Sequence, residues 1–500
     1  MRPFPRTILL ALLLSACAVG PNYVKPPVET PSNFKEGGQW VPAEPRQVAS
    51  GQPWWSIYDD KTLDGLERQV DINNQNLKAS EAAYREAVAI VGEDEAAFFP
   101  TVGLEGTGSR QSQAVGTTSS GTVTPGASGG HRISNSFTAA ANASWVPDIW
   151  GKVRRQVESG VANAQASAAD LAAARLSTQA TLAQSYFELR ITDELTRLLS
   201  DTVKAYARSL EITQNRYSAG VSARSDVAQA QAQLDGTRSQ LIALGVQRAQ
   251  YEHAIAVLIG KPPAEFALAA EPLHFHVPVV PTGVSSTLLE RNPTVASAER
   301  QAASANALIG VAIAGYFPAL TLSGSGGFTS SAIDMLFKGA SSYWMFGADL
   351  TETVFNGFLT SLQVAQARAT YDQNVALYRQ AALTSFQQVE DQLAALRIEE
   401  LQQKVEDSTV SAAELAERLI FNEYKAGTVD YTSVVTAQAT ALADEQSAYQ
   451  IMQNRLLASV LLVEDLGGGW DTSQLPDQPL PAEIPDRPGA EPHPGTGEAQ

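Results

Sequence analysis

The sequence predicts a mainly α-helical chain with a minor β component, built from two copies of one unit of strands and very long helices. Three observations predict it. The first is an internal repeat. Ala97-Phe98-Phe99-Pro100-Thr101-Val102 answers to Gly315-Tyr316-Phe317-Pro318-Ala319-Leu320, and Arg216-Tyr217-Ser218-Ala219-Gly220-Val221 answers to Glu423-Tyr424-Lys425-Ala426-Gly427-Thr428. The offsets are 317 − 99 = 218 and 424 − 217 = 207, so the first copy carries 218 − 207 = 11 extra residues between the landmarks. A two-fold repeat indicates duplication of a supersecondary unit. The second observation is that proline is absent from Asp148 to Lys261 and from Ala319 to Leu475, while alanine supplies ten of the forty residues Gly151 to Arg190. Both favour helix. The third is strict alternation of apolar and polar or small residues in short segments beside the aromatic-proline motifs, the period of a strand.

The elements follow in order. Arg2 and Arg6 precede a short apolar run, Thr7 to Leu14, and then Leu14-Ser15-Ala16-Cys17. A basic head, an apolar middle and small residues before a cut site read as a signal peptide over 1–16. The run is too short to cross a bilayer as a helix, which takes ~20 residues. Cys17 is the sole cysteine, which excludes a disulfide framework and a cysteine-based metal site. Residues 17–53 read as an extended N-terminal segment. The first repeat spans 54–290, with a β-hairpin at about 98–147 and long helices at about 148–260. The second spans 291–470, with a hairpin at about 316–355 and long helices at about 356–466. The eleven extra residues are expected in the Gly/Ser/Thr-rich stretch Gly106 to Gly130, which reads as a loop. Residues 471–500 read as a disordered tail, because Pro476 to Pro494 holds seven prolines among Asp, Glu and Gly. The folded part is thus expected from about Trp54 to Trp470.

Helical spacing is plain at Val153, Val157, Val161, Ala164, Ala168 and Leu171, and again at Val375, Tyr378, Ala382, Phe386, Val389, Leu393 and Leu396. Steps of three and four make a coiled-coil-like seam. Gly151 to Gln214 alone is 64 residues, about 95 Å at ~1.5 Å per residue. A compact domain has no use for a helix of that length. In the strands, Phe137, Ala139, Ala141, Ala143 and Trp145 share one face against Ser136, Thr138, Ala140, Asn142 and Ser144. Trp344, Phe346, Ala348 and Leu350 oppose Tyr343, Met345, Gly347, Asp349 and Thr351. One apolar and one polar face fit lipid outside and water inside. A soluble sandwich with one buried face shows the same alternation; the N-terminal signal favours the membrane.

Composition removes other classes. Without residues 1–16 the chain holds 33 basic and 53 acidic side chains, a net charge of 33 − 53 = −20, which argues against a nucleic-acid partner. No 18-residue apolar run follows the signal, so a membrane could be crossed only by a closed barrel. Two hairpins supply four strands with open edges, which must close by oligomerisation. A dimer would make an eight-stranded barrel nearly filled by side chains; a trimer would make twelve and leave a lumen. No catalytic constellation or phosphate-binding loop is present. His274-Phe275-His276 puts two imidazoles on one side of an extended segment without a third ligand, so neither a metal nor a cofactor is expected.

The chain resembles the TolC/OprM-like outer-membrane factors, in particular the NodT-type lipoproteins of resistance-nodulation-division efflux pumps. The matching pieces are Cys17-Ala18-Val19-Gly20-Pro21-Asn22-Tyr23, Trp54-Trp55, the two aromatic-proline strand entries, Asp148-Ile149-Trp150-Gly151, the two Tyr-x-x-Gly turns and Leu466-Gly467-Gly468-Gly469-Trp470. They cover the mature chain in order. The resemblance implies a homotrimer with a twelve-stranded transmembrane β-barrel continued by a long α-helical barrel across the periplasm. It implies a periplasmic adaptor and an inner-membrane pump of the resistance-nodulation-division type as partners, and outer-membrane lipid around the barrel. Leu-Ser-Ala-Cys looks like a lipobox, with Cys17 carrying an N-acyl, S-diacylglycerol lipid and Ala18 consistent with sorting to the outer membrane. In the family the turns Tyr217, Ser218, Ala219, Gly220, Val221 and Tyr424, Lys425, Ala426, Gly427, Thr428 form the periplasmic tip where the adaptor docks. Relatives often line the constriction with carboxylates; the matching positions here are the neutral Ser433 and Thr436. The expected gate is Tyr424, Asp430, Thr432, Ser433 and Thr436, with Asp226 the nearest carboxylate after the first turn. The function so implied is passive conduction of small molecules such as drugs, without enzymatic activity. A type I protein-secretion channel shares the same tunnel physics, and a periplasmic coiled-coil scaffold lipoprotein is the reading outside transport.

Overall fold

The structure is a computed structural model. It describes residues 18–31, 34–37, 53–114, 131–273, 277–278 and 288–477; Cys17, the signal peptide, the His274–His276 pair and the tail beyond 477 lie outside the described residues. Long helices and a single sheet dominate. Helices α1 (Lys61–Asn73) and α2 (Gln75–Ala96) lead into strands β1 (Thr101–Ala114) and β2 (His131–Trp145), then α3 (Lys152–Ser218) and α4 (Arg224–Leu258). After a single helical turn at Leu288–Arg291 the order repeats: α5 (Pro293–Ala314), β3 (Ala319–Ser330), β4 (Ser342–Thr351), α6 (Leu359–Ala426) and α7 (Tyr431–Asp465). The duplication extends to backbone geometry. The left-handed residue before α3 is Gly151 and that before α6 is Phe358; 358 − 151 = 207, the offset of the helix turns. The segment from Thr101 to Gly151 is 51 residues and that from Ala319 to Phe358 is 40, so the eleven extra residues fall within the first hairpin.

Helices α3 and α6, of 67 and 68 residues, span about 100 Å each at ~1.5 Å per residue. They carry the sheet at one end and the turns at the other. The shorter helices lie alongside: α4 and α7 toward the turns, α2 and α5 toward the sheet. Ala162, Ala164, Ala166 and Ala169 are buried on α3, where small side chains allow close approach of neighbouring helices.

The four strands form one antiparallel sheet in the order β1-β2-β3-β4. Register puts the main apolar positions of the four strands on one face: Leu104 opposite Ala141, Ala143 opposite Gly324, and Gly326 opposite Trp344. Leu104 is 90% exposed and Phe346 80%, an apolar surface with no protein cover in the single chain. The other face is polar; Asn142 Nδ2 donates to Glu105 Oε2 at 2.9 Å. Both edge strands present unpaired backbone groups. None of the described helices is long and apolar enough to cross a membrane.

Three expectations need correction. Gly106 to Ala114 is strand, not loop. Small residues there make room for large partners: a Cβ on Gly108 would already touch Phe137 at 3.4 Å, so a loop-like composition serves cross-strand packing. The folded part also starts before Trp54. Val19 N donates to Trp150 O at 3.0 Å, and the buried Arg155 donates to Val19 O, Gly20 O and Asn22 Oδ1 at 3.1, 3.2 and 2.9 Å. This strap ties the N-terminal segment to the junction of sheet and helices, and a Cβ on Gly20 would come within 2.5 Å of Gly310 Cα. Finally, the chain is ordered past 471, where the tail was expected to begin. Gly467, Gly468 and Gly469 all have positive φ and fold the chain back on itself. Asp471 then caps a short turn by accepting from Ser473 N at 2.7 Å, and Pro476 O accepts from Gln165 Nε2 at 3.0 Å. A short polar segment is ordered here because its backbone groups find partners.

The main core sits midway along the molecule, where Trp54, Trp55, Tyr58, Leu63, Tyr186 and Phe187 pack with the middle of α3 and α6 and the end of α7. Its polar atoms are bonded across elements: Tyr58 OH with Ser459 Oγ at 2.8 Å, and Tyr186 OH donating to Asp60 Oδ2 at 2.6 Å. Glu67 is the exception. It is fully buried, neither carboxylate oxygen has a partner, and burial with the neighbouring Asp71 charge raises its pKa to about 9.

Candidate functional site: the helical tip

Both helix turns end a 67- or 68-residue helix in the same way. Gly220 and Gly427 take φ of +73° and +83°, a region open to glycine at little steric cost. Val221 N then donates to Arg216 O at 2.9 Å and Thr428 N to Glu423 O at 3.0 Å. These are the long-range bonds of a Schellman ending, which satisfy carbonyls left over at the helix terminus. The following helices start under carboxylates. Asp226 Oδ2 accepts from Ala223 N at 3.2 Å, and Asp430 Oδ1 accepts from Ser433 N and Oγ at 2.9 and 2.7 Å. The Ser433 hydroxyl and then its backbone N–H hold the Asp430 pKa below the usual carboxylate value. Each carboxylate also favours the positive end of its helix dipole.

Tyr217, Ser218, Ala219, Gly220 and Val221 lie exposed on the first turn, and Lys425, Ala426, Gly427 and Thr428 on the second. Tyr424 does not join them. It is 2% exposed and belongs to a small tip core with Tyr206, Leu210, Leu234, Tyr431 and Val434. Its ring meets Tyr431 edge-on at 5.2 Å, and its hydroxyl bonds Ser222 Oγ at 3.1 Å and Thr213 Oγ1 at 3.4 Å. The gate expected from sequence therefore divides. Asp430, Thr432, Ser433 and Thr436 share a groove of about 450 Å³ with Ala413, Ala416 and Ile420 of α6. Tyr424 turns instead into the tip core, toward Thr213 of α3, Ser222 of the first turn and Tyr431 of α7.

Sequence reasoning missed Arg216. Its guanidinium lies 4.6 Å from the Tyr424 ring centroid, and Nη1 donates to Lys425 O at 3.1 Å. One side chain thereby ties the first turn to the second. A signal was present in the repeat: Arg216 and Glu423 occupy matching positions with opposite charge, so the copies diverge where one turn must grip the other. Tyr431 was missed too; its hydroxyl meets Ser209 Oγ at 3.1 Å, closing the same core from α7. Among the described residues no group of three or more His, Cys, Asp or Glu is placed to hold a metal ion.

A sequence profile described as "Outer membrane efflux protein" matches residues 66–261 and 284–468. The probable efflux pump outer membrane protein TtgC of Pseudomonas putida is 28% identical over 466 residues, covering 92% of this chain and 94% of that protein. The pyoverdine export outer membrane protein OpmQ of Pseudomonas aeruginosa is 29% identical over 468 residues, covering 93% and 97%. Among solved structures, the outer-membrane channel OprN superposes with a TM-score of 0.82 at 26% identity, over 91% of this chain and all of that one. This is a family of channel and efflux proteins, not a known class of enzyme, and its members lie in the outer membrane. With both repeats matched and the whole architecture shared, the chain belongs to the outer membrane efflux protein family.

Proposed function

We propose that this chain is the outer-membrane channel subunit of a tripartite efflux pump, conducting small molecules such as drugs passively from an adaptor and an inner-membrane pump to the exterior. The observation that carries the reading is the four-stranded sheet, apolar on one face, polar on the other and unpaired at both edges, set on helices about 100 Å long. Open edges are not tolerated in lipid. Three copies joined from β4 of one to β1 of the next give twelve strands around a water-filled lumen, with the long helices continuing the tube toward the pump. Cys17, acylated, anchors the chain beside the barrel, because the strap already brings Val19 to Trp150 at the foot of the sheet. The exposed turn residues receive the adaptor, and Asp430, Thr432, Ser433 and Thr436 line the constriction. The inner-membrane partner is of the resistance-nodulation-division type. Burying acyl chains contributes ~0.8 kcal/mol per CH₂, so a multiply acylated cysteine holds firmly.

The test is the oligomer and its conductance. Trimeric, heat-resistant migration in mild detergent, with stepwise conductance in planar bilayers, is expected; an elongated monomer without conductance would instead fit a periplasmic scaffold. Co-purification of a neighbouring adaptor and pump separates efflux from protein secretion.

A further inference from the structure

The two repeats turn the same corner with different residues. Where the sheet gives way to a long helix, Gly151 holds the corner of the first repeat and Phe358 that of the second. Their φ and ψ are 78° and 20° against 68° and 12°. This left-handed conformation is open to glycine and strained for a side chain as large as phenylalanine. In the first repeat space also demands glycine, since a Cβ on Gly151 would come within 2.6 Å of Ala18 Cα. The N-terminal strap covers that corner, with Val19 N donating to Trp150 O. The second corner is open. A Cβ on the neighbouring Gly357 would meet nothing within 4 Å. Phe355 and Phe358 are 77% and 73% exposed, and their rings meet edge-on at 6.0 Å. Val354, Leu359 and Leu362 are exposed beside them.

Charge separates the corners too. Asp148, Lys152, Arg154 and Arg155 flank Gly151 in sequence, whereas no charged residue occurs from Thr353 to Ala367. The open patch is directed away from the protein. Val364 is buried, and a Cβ on Gly315 would touch Thr360 Cγ2 at 3.4 Å, so Thr360 and Val364 take the packed side of α6. Phe358 and Leu362, four residues apart, share the opposite side. The patch also continues the apolar face of the sheet, to which the exposed Leu350 belongs. Both corners stand at the foot of the sheet, where a barrel would leave the bilayer. A large apolar side chain held in a strained conformation, where the repeat shows that glycine suffices, needs a contact outside the chain. A second copy joins through the strand edges, β4 to β1, and leaves the outer side of the foot to lipid.

We infer that Val354 to Leu362 is a second membrane anchor, with the Phe355 and Phe358 rings and the Leu359 and Leu362 side chains seated at the boundary of headgroups and acyl chains in the periplasmic leaflet. The inference rests on the channel reading. Phenylalanine and leucine on one side of an uncharged helix start suit that boundary, because the apolar groups leave water while the backbone and Thr360, Ser361 and Gln363 keep polar partners. The foot of the sheet is then held twice: by the acylated N-terminus at the first corner and by the chain's own rings at the second.

The experiment substitutes Phe358→p-benzoylphenylalanine, a photoreactive residue, in the full-length protein reconstituted in vesicles of phosphatidylethanolamine and phosphatidylglycerol. Leu350 and Ser325, on the apolar and polar faces of the sheet, are substituted likewise as references. After irradiation, position 358 should yield as much lipid adduct as 350 and about tenfold or more above 325. A cross-link from 358 to another chain, or an adduct level at 358 no higher than at 325, overturns the anchor; adducts at 350 then leave the channel reading standing. Loss of lipid adducts at both 350 and 358 removes the channel reading and the anchor with it. A second measurement is the thermal midpoint of Phe358→Gly in mild detergent. It should not fall, because glycine relieves the strain; a fall would show that the ring packs within the protein and would overturn the anchor as well.

Discussion

Replacing Arg216 by methionine isolates the link between the two turns. Methionine keeps an unbranched stem for packing and removes the guanidinium. The loss comprises a charged donor to Lys425 O at 3.1 Å and a cation–π contact at 4.6 Å. A hydrogen bond to a charged group contributes about 1.5–3 kcal/mol net and an exposed cation–π contact about 0.5–1 kcal/mol. Arg216 is partly exposed at the tip, so solvent screening takes the low end of both, about 2 kcal/mol in all. That corresponds to a factor of about 30 in the equilibrium between joined and separated turns. Hydrogen exchange reads this equilibrium directly. Amides from Thr428 to Thr432 should exchange about 30 times faster in Arg216→Met, while those of the mid-molecule core around Tyr186 stay unchanged. A double cycle with Tyr424→Leu should show coupling of about 0.5–1 kcal/mol. If exchange at the second turn changes by less than about twofold, or the substitutions add without coupling, Arg216 does not hold the turns together.

Further outcomes follow from other parts of the structure. Replacing Asp430 and Thr436 together by alanine should alter the closed-state conductance in planar bilayers; unchanged conductance would remove both from the constriction. Glu67→Gln should flatten the pH dependence of stability. The folded-state pKa of Glu67 is raised from the ordinary 4.5 to about 9, so the folded chain keeps a proton that the unfolded chain gives up. Stability from this group is full below about 4.5 and falls as pH rises toward 9, by ~3 kcal/mol at pH 7. The thermal midpoint of the wild type should therefore drop more between pH 5 and pH 8 than that of the variant. Trp344→Arg, on the apolar face, should cost about 2–4 kcal/mol and reduce the membrane-inserted trimer, whereas Ser325→Arg on the polar face should leave assembly intact and alter conductance. Gly467→Ala should destabilise the C-terminal turn, because its Cβ would meet Arg291 O at 2.0 Å and φ is +90°; limited proteolysis beyond Leu466 would show it.

Much of this architecture was legible because it is local and periodic. The repeat offsets, the proline-free alanine-rich runs and the alternation of residues 136–145 and 343–351 each express a backbone period that neighbouring residues enforce together. The sheet register then needed only those alternations, since a slip of one residue would turn every apolar side chain to the wrong face. The turn glycines were legible for the same reason: a left-handed backbone at 220 and 427 is a requirement the residue type itself announces.

What the sequence could not determine was decided by partners distant along the chain. Tyr424 and Ser433 are nine residues apart by number, yet one turns inward to Thr213 and Arg216 of α3 while the other lines an open groove; only contacts between segments distant along the chain separate them. Arg216 acquires its role from a carbonyl at Lys425, a separation of 209 residues. The docked strap at Val19 and the ordered turn at Asp471 looked like loose ends because polar, irregular segments carry no period. They are held by side-chain hydrogen bonds from Arg155 and Gln165, which no local pattern encodes. Glu67 reads as an ordinary surface carboxylate on an amphipathic helix, and its burial follows from how the helices close around the core. Periodicity thus determined the elements and the faces they bury, whereas the chemistry at the tip and in the groove arises where faces from different helices meet.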